Sequence, residues 1–146
     1  MLEKFKKEII TAMKERDKVK LNTLRAVKGA MQLEVINNKR EESDELLLDV
    51  INKQIKMRND SIEEFEKAGR DDLVNSYKSE IDILEEYMPK KLSEDEINEI
   101  LDLGISESGA SSVRDLGSVM RIVTPKVKNR CDMKVVTGML RDKLSK

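Results

Sequence analysis

Histidine and tryptophan are missing from the 146 residues, and there is a single cysteine, Cys131, beside two prolines, two tyrosines and two phenylalanines. Each shortage removes a class of chemistry. Without histidine there is no imidazole base and no Cys/His zinc site, and one thiol cannot close an intramolecular disulfide. Aromatics at 3% argue against a platform that stacks single-stranded bases. No stretch approaches the roughly 18 apolar residues needed to cross a bilayer. The N-terminus, Met1-Leu-Glu-Lys-Phe-Lys-Lys-Glu8, lacks the apolar run of a secretory signal. One free cysteine suits a reducing compartment, so a cytosolic protein without membrane contact is expected.

What remains is 39% charged and 38% hydrophobic, a helical composition. A chain of this length buries roughly 68–70% of its unfolded surface, enough for one ordinary domain or two small ones. Lysine and arginine number 28 against 29 acids, for a net charge of −1. Any attraction to a polyanion must therefore be local.

Apolar spacing predicts seven helices. Leu2, Phe5, Ile9 and Met13 share one helical face, and Asp17 can cap a second helix with a stripe at Leu21, Leu24, Val27 or Lys28, Met31 and Val35. Ser43 caps a third, whose face of Leu47, Ile51, Ile55, Ile62 and Phe65 is interrupted by Arg58. Gly69 supplies a left-handed exit, and Asp71 opens a fourth helix carrying Leu73, Tyr77, Ile81, Leu84 and Met88. Pro89 disfavours helical geometry at Met88 and marks the boundary between residues 1–88 and 89–146. Beyond it, Ser93 and Glu96 form a capping box for a fifth helix running to Gly109. Ser112 and Asp115 begin a sixth, which Pro125 is expected to stop, and Asp132 caps a seventh ending near Leu144. The expected fold is all-α: a four-helix bundle over 1–88 and a three-helix bundle over 89–146.

Motifs for catalysis are scarce. The glycines of Gly104-Ile-Ser-Glu-Ser-Gly109 have phosphate-loop spacing but follow a helix and lack the lysine, so they read as a helix end. Acids at Glu63-Glu64-Glu66, Glu85-Glu86 and Glu94-Asp95-Glu96 could serve as acid/base groups or magnesium ligands, yet they fall on polar faces or at helix starts, where solvation and the helix dipole favour them. Cys131 has no histidine partner to activate it and reads as a packed thiol. Arg58 could bind an anion from inside a stripe; a structural ion pair with Glu63 or Asp60 is the preferred alternative. No catalytic residue, metal ligand or cofactor is expected from the spacing.

Charge, in contrast, is segregated. Residues 93–111 hold six acids and no bases, whereas residues 112–146 hold nine bases against three acids. The bases are Arg114, Arg121, Lys126, Lys128, Arg130, Lys134, Arg141, Lys143 and Lys146. The densest part, Lys126-Val-Lys128-Asn-Arg130, falls in the turn before the seventh helix, where cations and helix-start amides could meet phosphates. Two explanations fit: a polyanion partner, or neutralisation of the acidic helix by the basic ones inside one bundle. Structured RNA suits such a surface better than a single strand, because backbone contact to A-form helices needs no ring platform.

Several ordered motifs resemble the YqeY family: Arg58-Asn-Asp-Ser-Ile-Glu-Glu-Phe-Glu-Lys-Ala-Gly-Arg-Asp-Asp-Leu73, Glu85-Glu-Tyr-Met-Pro89, Gly109-Ala-Ser-Ser112, Gly117-Ser-Val-Met120 and Pro125-Lys-Val-Lys128 with Arg130 and Asp132. That family is similar to the C-terminal helical and tail portion of the GatB subunit of the tRNA-dependent amidotransferase, and to an appendage of some glutaminyl-tRNA synthetases. The resemblance implies tRNA handling, with Arg114, Arg121, Lys126, Lys128, Arg130 and Lys134 as the nucleic-acid-binding positions. It also implies tRNA, an aminoacyl-tRNA synthetase or amidotransferase subunits as partners, with the oligomeric state open. Asn129 stands where the family often has glycine, and asparagine tolerates left-handed geometry. Three functions follow as expectations: a non-catalytic tRNA-binding accessory, part of a glutamine-dependent carbon–nitrogen ligase, or a helical protein-interaction module. No nucleophile or nucleotide site for the second is recognisable.

Overall fold

A computed structural model describes residues 1–145, so Lys146, one of the nine C-terminal bases, lies outside the described residues. Those residues form seven α-helices and one short 3₁₀ turn, with no strand among them. The helices are α1 (Leu2–Lys14), α2 (Lys18–Asn37), α3 (Asp44–Lys67), α4 (Asp71–Glu85), α5 (Glu94–Ser108), α6 (Leu116–Val127) and α7 (Met133–Leu144). Backbone contacts divide the chain into two compact units, Met1–Met88 and Pro89–Lys146.

In the first unit, α1 turns Phe5, Ile9 and Ala12 inward, while Met13, expected on that stripe, is half exposed. Position 12 lies three residues beyond Ile9 and position 13 four, so either could continue the face. The smaller side chain takes the closer approach. Arg16 adopts φ 59°, and Asp17 accepts the Lys20 amide at 3.2 Å, which separates α1 from α2. Helix α2 buries Thr23, Leu24, Val27 and Met31. The buried Thr23 hydroxyl donates to the Val19 carbonyl at 2.8 Å, so it carries no desolvation penalty. Helix α3 opens on Ser43, which accepts the Leu46 amide at 3.1 Å, a cap worth about 1 kcal/mol.

Packing in this unit forms two apolar clusters. One gathers Phe5, Leu24, Val27, Leu47, Ile51 and Leu84 with Tyr87; the other joins Ile62, Val74 and Ile81 between the far ends of α3 and α4. Two edge-to-face ring pairs fasten them, Phe5–Tyr87 at 5.7 Å and Phe65–Tyr77 at 5.4 Å. Such pairs add roughly 0.5–1.5 kcal/mol beyond area burial. Tyr87 also donates its hydroxyl to Glu8, and burial together with that carboxylate pushes its pKa upward. Arg58 does make an ion pair, but with Glu80 of α4 at 3.2 Å and not with Glu63 or Asp60. Its guanidinium also donates to the Gln54 side chain at 2.7 Å. An inward-pointing arginine is best matched by the helix packed against it.

The second unit builds one core from Ile97, Leu101, Val119, Val123, Val127, Val136, Leu140 and Leu144. The Ser93–Glu96 box caps α5, and Gly109 at φ 71° closes it. Gly104 faces α6 so closely that an added Cβ would lie 2.7 Å from Val123 Cγ2. Its role is helix contact, not a helix end. Ser112 and Asp115 cap the 3₁₀ turn Val113–Asp115, from which α6 departs. Pro125 does not stop α6; it lies inside, and the helix runs on to Val127. Proline lacks the N–H that would reach the Arg121 carbonyl, but both residues are on the outer side of the helix, where water can replace that bond. The Lys128 amide still reaches the Thr124 carbonyl at 2.9 Å.

Candidate nucleic-acid interface

The turn between α6 and α7 is set by Asn129 at φ 63°, a left-handed residue between two helices. Glycine is free of strain there and asparagine pays little, so the geometry survives the substitution. The Arg130 amide donates to the Val127 carbonyl at 3.0 Å, closing the turn, and the Arg130 carbonyl accepts the Leu92 amide at 2.9 Å. That last bond fastens the segment before α5 to the turn. It brings Lys90 and Lys91, both exposed, beside Lys126, Lys128, Arg130 and Lys134.

This basic corner was only half visible in the sequence. Lys90 is 40 residues from Arg130 and Lys91 39, and contacts between distant segments unite them. The Arg130 guanidinium leans the same way, donating to the Lys90 carbonyl at 3.5 Å, the long limit of such a bond. At the same corner sit Glu96 and the acids of the first turn of α5. Glu96 has its carboxyl held below the usual value, first by the Ser93 amide and then by the Ser93 hydroxyl, with smaller help from Arg130 and Lys90. Its oxygens are directed to the cap.

Few of the cations are spent on carboxylates. Among the described residues, the ion pair joining an α5 acid to the basic helices is Lys143–Asp102 at 2.9 Å. Lys90, Lys91, Arg114, Arg121, Lys126, Lys134 and Arg141 are exposed and have no carboxylate within 4.0 Å among those residues. Direct pairing between the acidic helix and the basic ones is thus seen, among the described residues, at Asp102 in mid-helix, while Glu96 at its start feels Arg130 and Lys90 only as a smaller influence than its cap.

The six positions expected to act together do not all meet. Arg114 lies in the 3₁₀ turn ahead of α6, roughly 18 Å from Lys126 at a rise of 1.5 Å per residue. Arg121 is midway along the outer side of α6. Lys128 and Arg130 lie in the turn itself, with Lys126 in the last turn of α6 and Lys134 in the first turn of α7 on either side of it. The start of α7 contributes less than expected, because the Asp132 carboxylate already accepts the Lys134 amide at 2.9 Å. Side-chain cations, not helix-start amides, carry the positive potential.

Further along α7, Lys134 and Arg141 flank a shallow depression of about 380 Å³ lined also by Met133, Thr137 and Gly138. Gly138 has open space where a side chain would stand, so a ligand backbone can approach the helix between the two cations. Arg141 was counted among the nine bases but not among the six binding positions, and Gly138 was not singled out; their i, i+7 and i, i+4 spacing from Lys134 was the signal available. The half-buried Cys131 donates its thiol to the Val127 carbonyl at 3.6 Å, and burial pushes its pKa up. It is a packing residue. Among the described residues no group of three or more acidic or cysteine side chains is placed to hold a metal ion, and no helix is long and apolar enough to cross a membrane.

An all-helical chain whose second unit bears a cationic turn between two helices is the class these features define. The chain belongs to the YqeY family: the model for Yqey-like proteins matches residues 2–144. It is similar to altered inheritance of mitochondria protein 41, mitochondrial, of Pyrenophora tritici-repentis, with 33% identity over 136 residues, 89% of this chain and 72% of that protein. The protein of the same name from Kluyveromyces lactis is 40% identical over 84 residues, 57% of this chain and 45% of its own length. That from Lachancea thermotolerans is 37% identical over 85 residues, covering 58% and 46%. The chain thus spans less than half of these two yeast relatives.

The cytosolic expectation does not stand against these names, which are those of mitochondrial proteins. An apolar-run criterion detects secretory signals, whereas mitochondrial addresses are amphipathic and basic. A lone thiol does not separate the two compartments either.

Proposed function

We propose that this protein is a non-catalytic tRNA-binding accessory built as two helical bundles, four helices over 1–88 and three over 89–146. Its basic corner holds the RNA backbone for an aminoacyl-tRNA synthetase or for amidotransferase subunits that perform the chemistry. One observation carries the reading: Lys90, Lys91, Lys126 and Lys134 stand around the α6–α7 turn with no carboxylate within ion-pair reach among the described residues. Cations left in this state cost self-repulsion and return nothing to the fold, so an external anion is their natural counterpart. Phosphate contact positions a nucleic acid without reading its sequence, which suits a surface lacking aromatic rings.

Charge reversal tests this. Lys126→Glu with Lys134→Glu, and separately Lys90→Glu with Lys91→Glu, should each weaken binding of bulk tRNA by about tenfold or more while leaving the thermal midpoint nearly unchanged. Lys56→Glu, on the outer side of α3 in the other unit, is the control and should bind as the parent does. Equal affinity in all three variants would remove the corner from the account.

A further inference from the structure

Helix α2 carries a second, mainly apolar face that is left largely exposed among the described residues. Its inward side is Leu24, Val27 and Met31, but Val19, Asn22, Ala26, Gly29, Leu33 and Ile36 form a separate line on the outside. Val19 is 50% exposed, Leu33 59% and Ile36 71%. Single apolar residues at a surface are ordinary. These six are set apart by intervals of three, four, three, four and three, the seam of a helix that meets another helix. A surface helix needs only one apolar stripe, so the second calls for an occupant.

The seam describes what it would accept. Ala26 and Gly29 make a dip at its middle, and Gly29 has open space around it, so a partner must present large side chains at its centre. Asn22 is the lone polar member and can set register. Lys18 and Arg25 run along one edge, exposed and without a carboxylate partner among the described residues, followed by the neutral Gln32; the opposite edge has Ala30 and Asn37. The one acid of α2, Glu34, lies off the line and off both edges. Self-pairing gains nothing from these edges: an antiparallel pair sets the edge of Lys18, Arg25 and Gln32 against the same edge of its copy, with no acid to meet, and a parallel pair sets it against the neutral edge. A membrane fits poorly, because small residues at the centre and the lack of aromatics leave little area to insert. RNA offers no apolar counterpart for Leu33 and Ile36.

We infer that α2 is a docking site for an amphipathic helix of another protein, one with large apolar residues at its centre and acidic residues along one edge. The site is independent of the basic corner.

The test uses the full chain and a synthetic three-heptad helix bearing leucine at its seam and glutamate along its edges, with a lysine-edged version for comparison. The glutamate helix should bind, with Leu33→Asp/Ile36→Asp weakening it about tenfold or more. Lys18→Glu/Arg25→Glu should weaken the glutamate helix and improve binding of the lysine helix. Circular dichroism checks that each variant keeps its helices. The inference is overturned by a glutamate helix that fails to bind at about 100 μM, some hundredfold above a typical micromolar complex. Equal binding of both helices, or unchanged binding to Leu33→Asp/Ile36→Asp, overturns it too. A dimer in sedimentation that Leu33→Asp abolishes would assign the seam to a second copy instead, and co-sedimentation with phosphatidylglycerol vesicles that Leu33→Asp abolishes would assign it to lipid.

Discussion

Asn129 illustrates how a single residue shapes the basic corner. Its φ of 63° is tolerated by asparagine and costly for β-branched residues. Asn129→Gly should therefore leave the unfolding midpoint almost unchanged, whereas Asn129→Val should cost about 1–2 kcal/mol; denaturant unfolding of the pair separates these outcomes. The two capping boxes make a pH prediction. Ser111 and Ser112 amides, at 2.9 and 3.2 Å, hold the Asp115 carboxyl below its usual 3.8, as the Ser93 amide and hydroxyl hold Glu96 below 4.5. A carboxyl whose folded-state value is depressed contributes stability that is fully present above its ordinary, unfolded value and is lost as pH falls from there through the lowered one. Thermal midpoints should drop as pH falls below about 4.5, and Glu96→Gln with Asp115→Asn should flatten that drop. Both boxes were legible in the sequence because every partner lies within four residues. The Arg58–Glu80 pair was not, since its members are 22 residues apart and only the packing of α4 on α3 brings them together.

Among helices, the contrast is between Gly104 and Gly138. Both are helical glycines, and on propensity alone either replacement by alanine would gain roughly 0.8–1 kcal/mol. Their surroundings differ. Gly138 faces open space, so Gly138→Ala should raise stability by about that amount while weakening tRNA binding, because its methyl narrows the depression between Lys134 and Arg141. Gly104→Ala drives a methyl against Val123, a β-branched side chain with little freedom to move, and should destabilise by about 1–3 kcal/mol less the propensity gain. Melting curves with opposite signs would bear this out; two stabilising changes would show the α5–α6 contact to be loose. Helix positions were readable from apolar spacing, as α3, α5 and α7 show. Choices between neighbours on one face, such as Ala12 over Met13, were not, because they depend on how near the next helix comes. Pro125 misled for a related reason: its missing bond falls on the outer side of α6, where water is available.

At the level of the whole chain, the separation of six acids from nine bases was plain in the sequence, and the family could be recognised from ordered motifs. The membership of the corner could not be read so easily. Lys90 and Lys91 belong to it through one backbone bond, Leu92 to Arg130, while Arg114 is carried away to the opposite end of α6. Compartment was legible least of all, since sparse cysteine and the lack of a long apolar run are features shared by cytosolic and mitochondrial proteins. The central claim is that exposed cations at the α6–α7 turn remain available to phosphates. Titration of labelled bulk tRNA at several salt concentrations tests it most directly. If about 3–5 phosphates are neutralised, log affinity should fall with log salt at a slope near −3 to −4.5, and Lys126→Glu/Lys134→Glu should make it shallower by about 2. Affinity that does not change with salt, or a slope identical in the variant, would contradict the account.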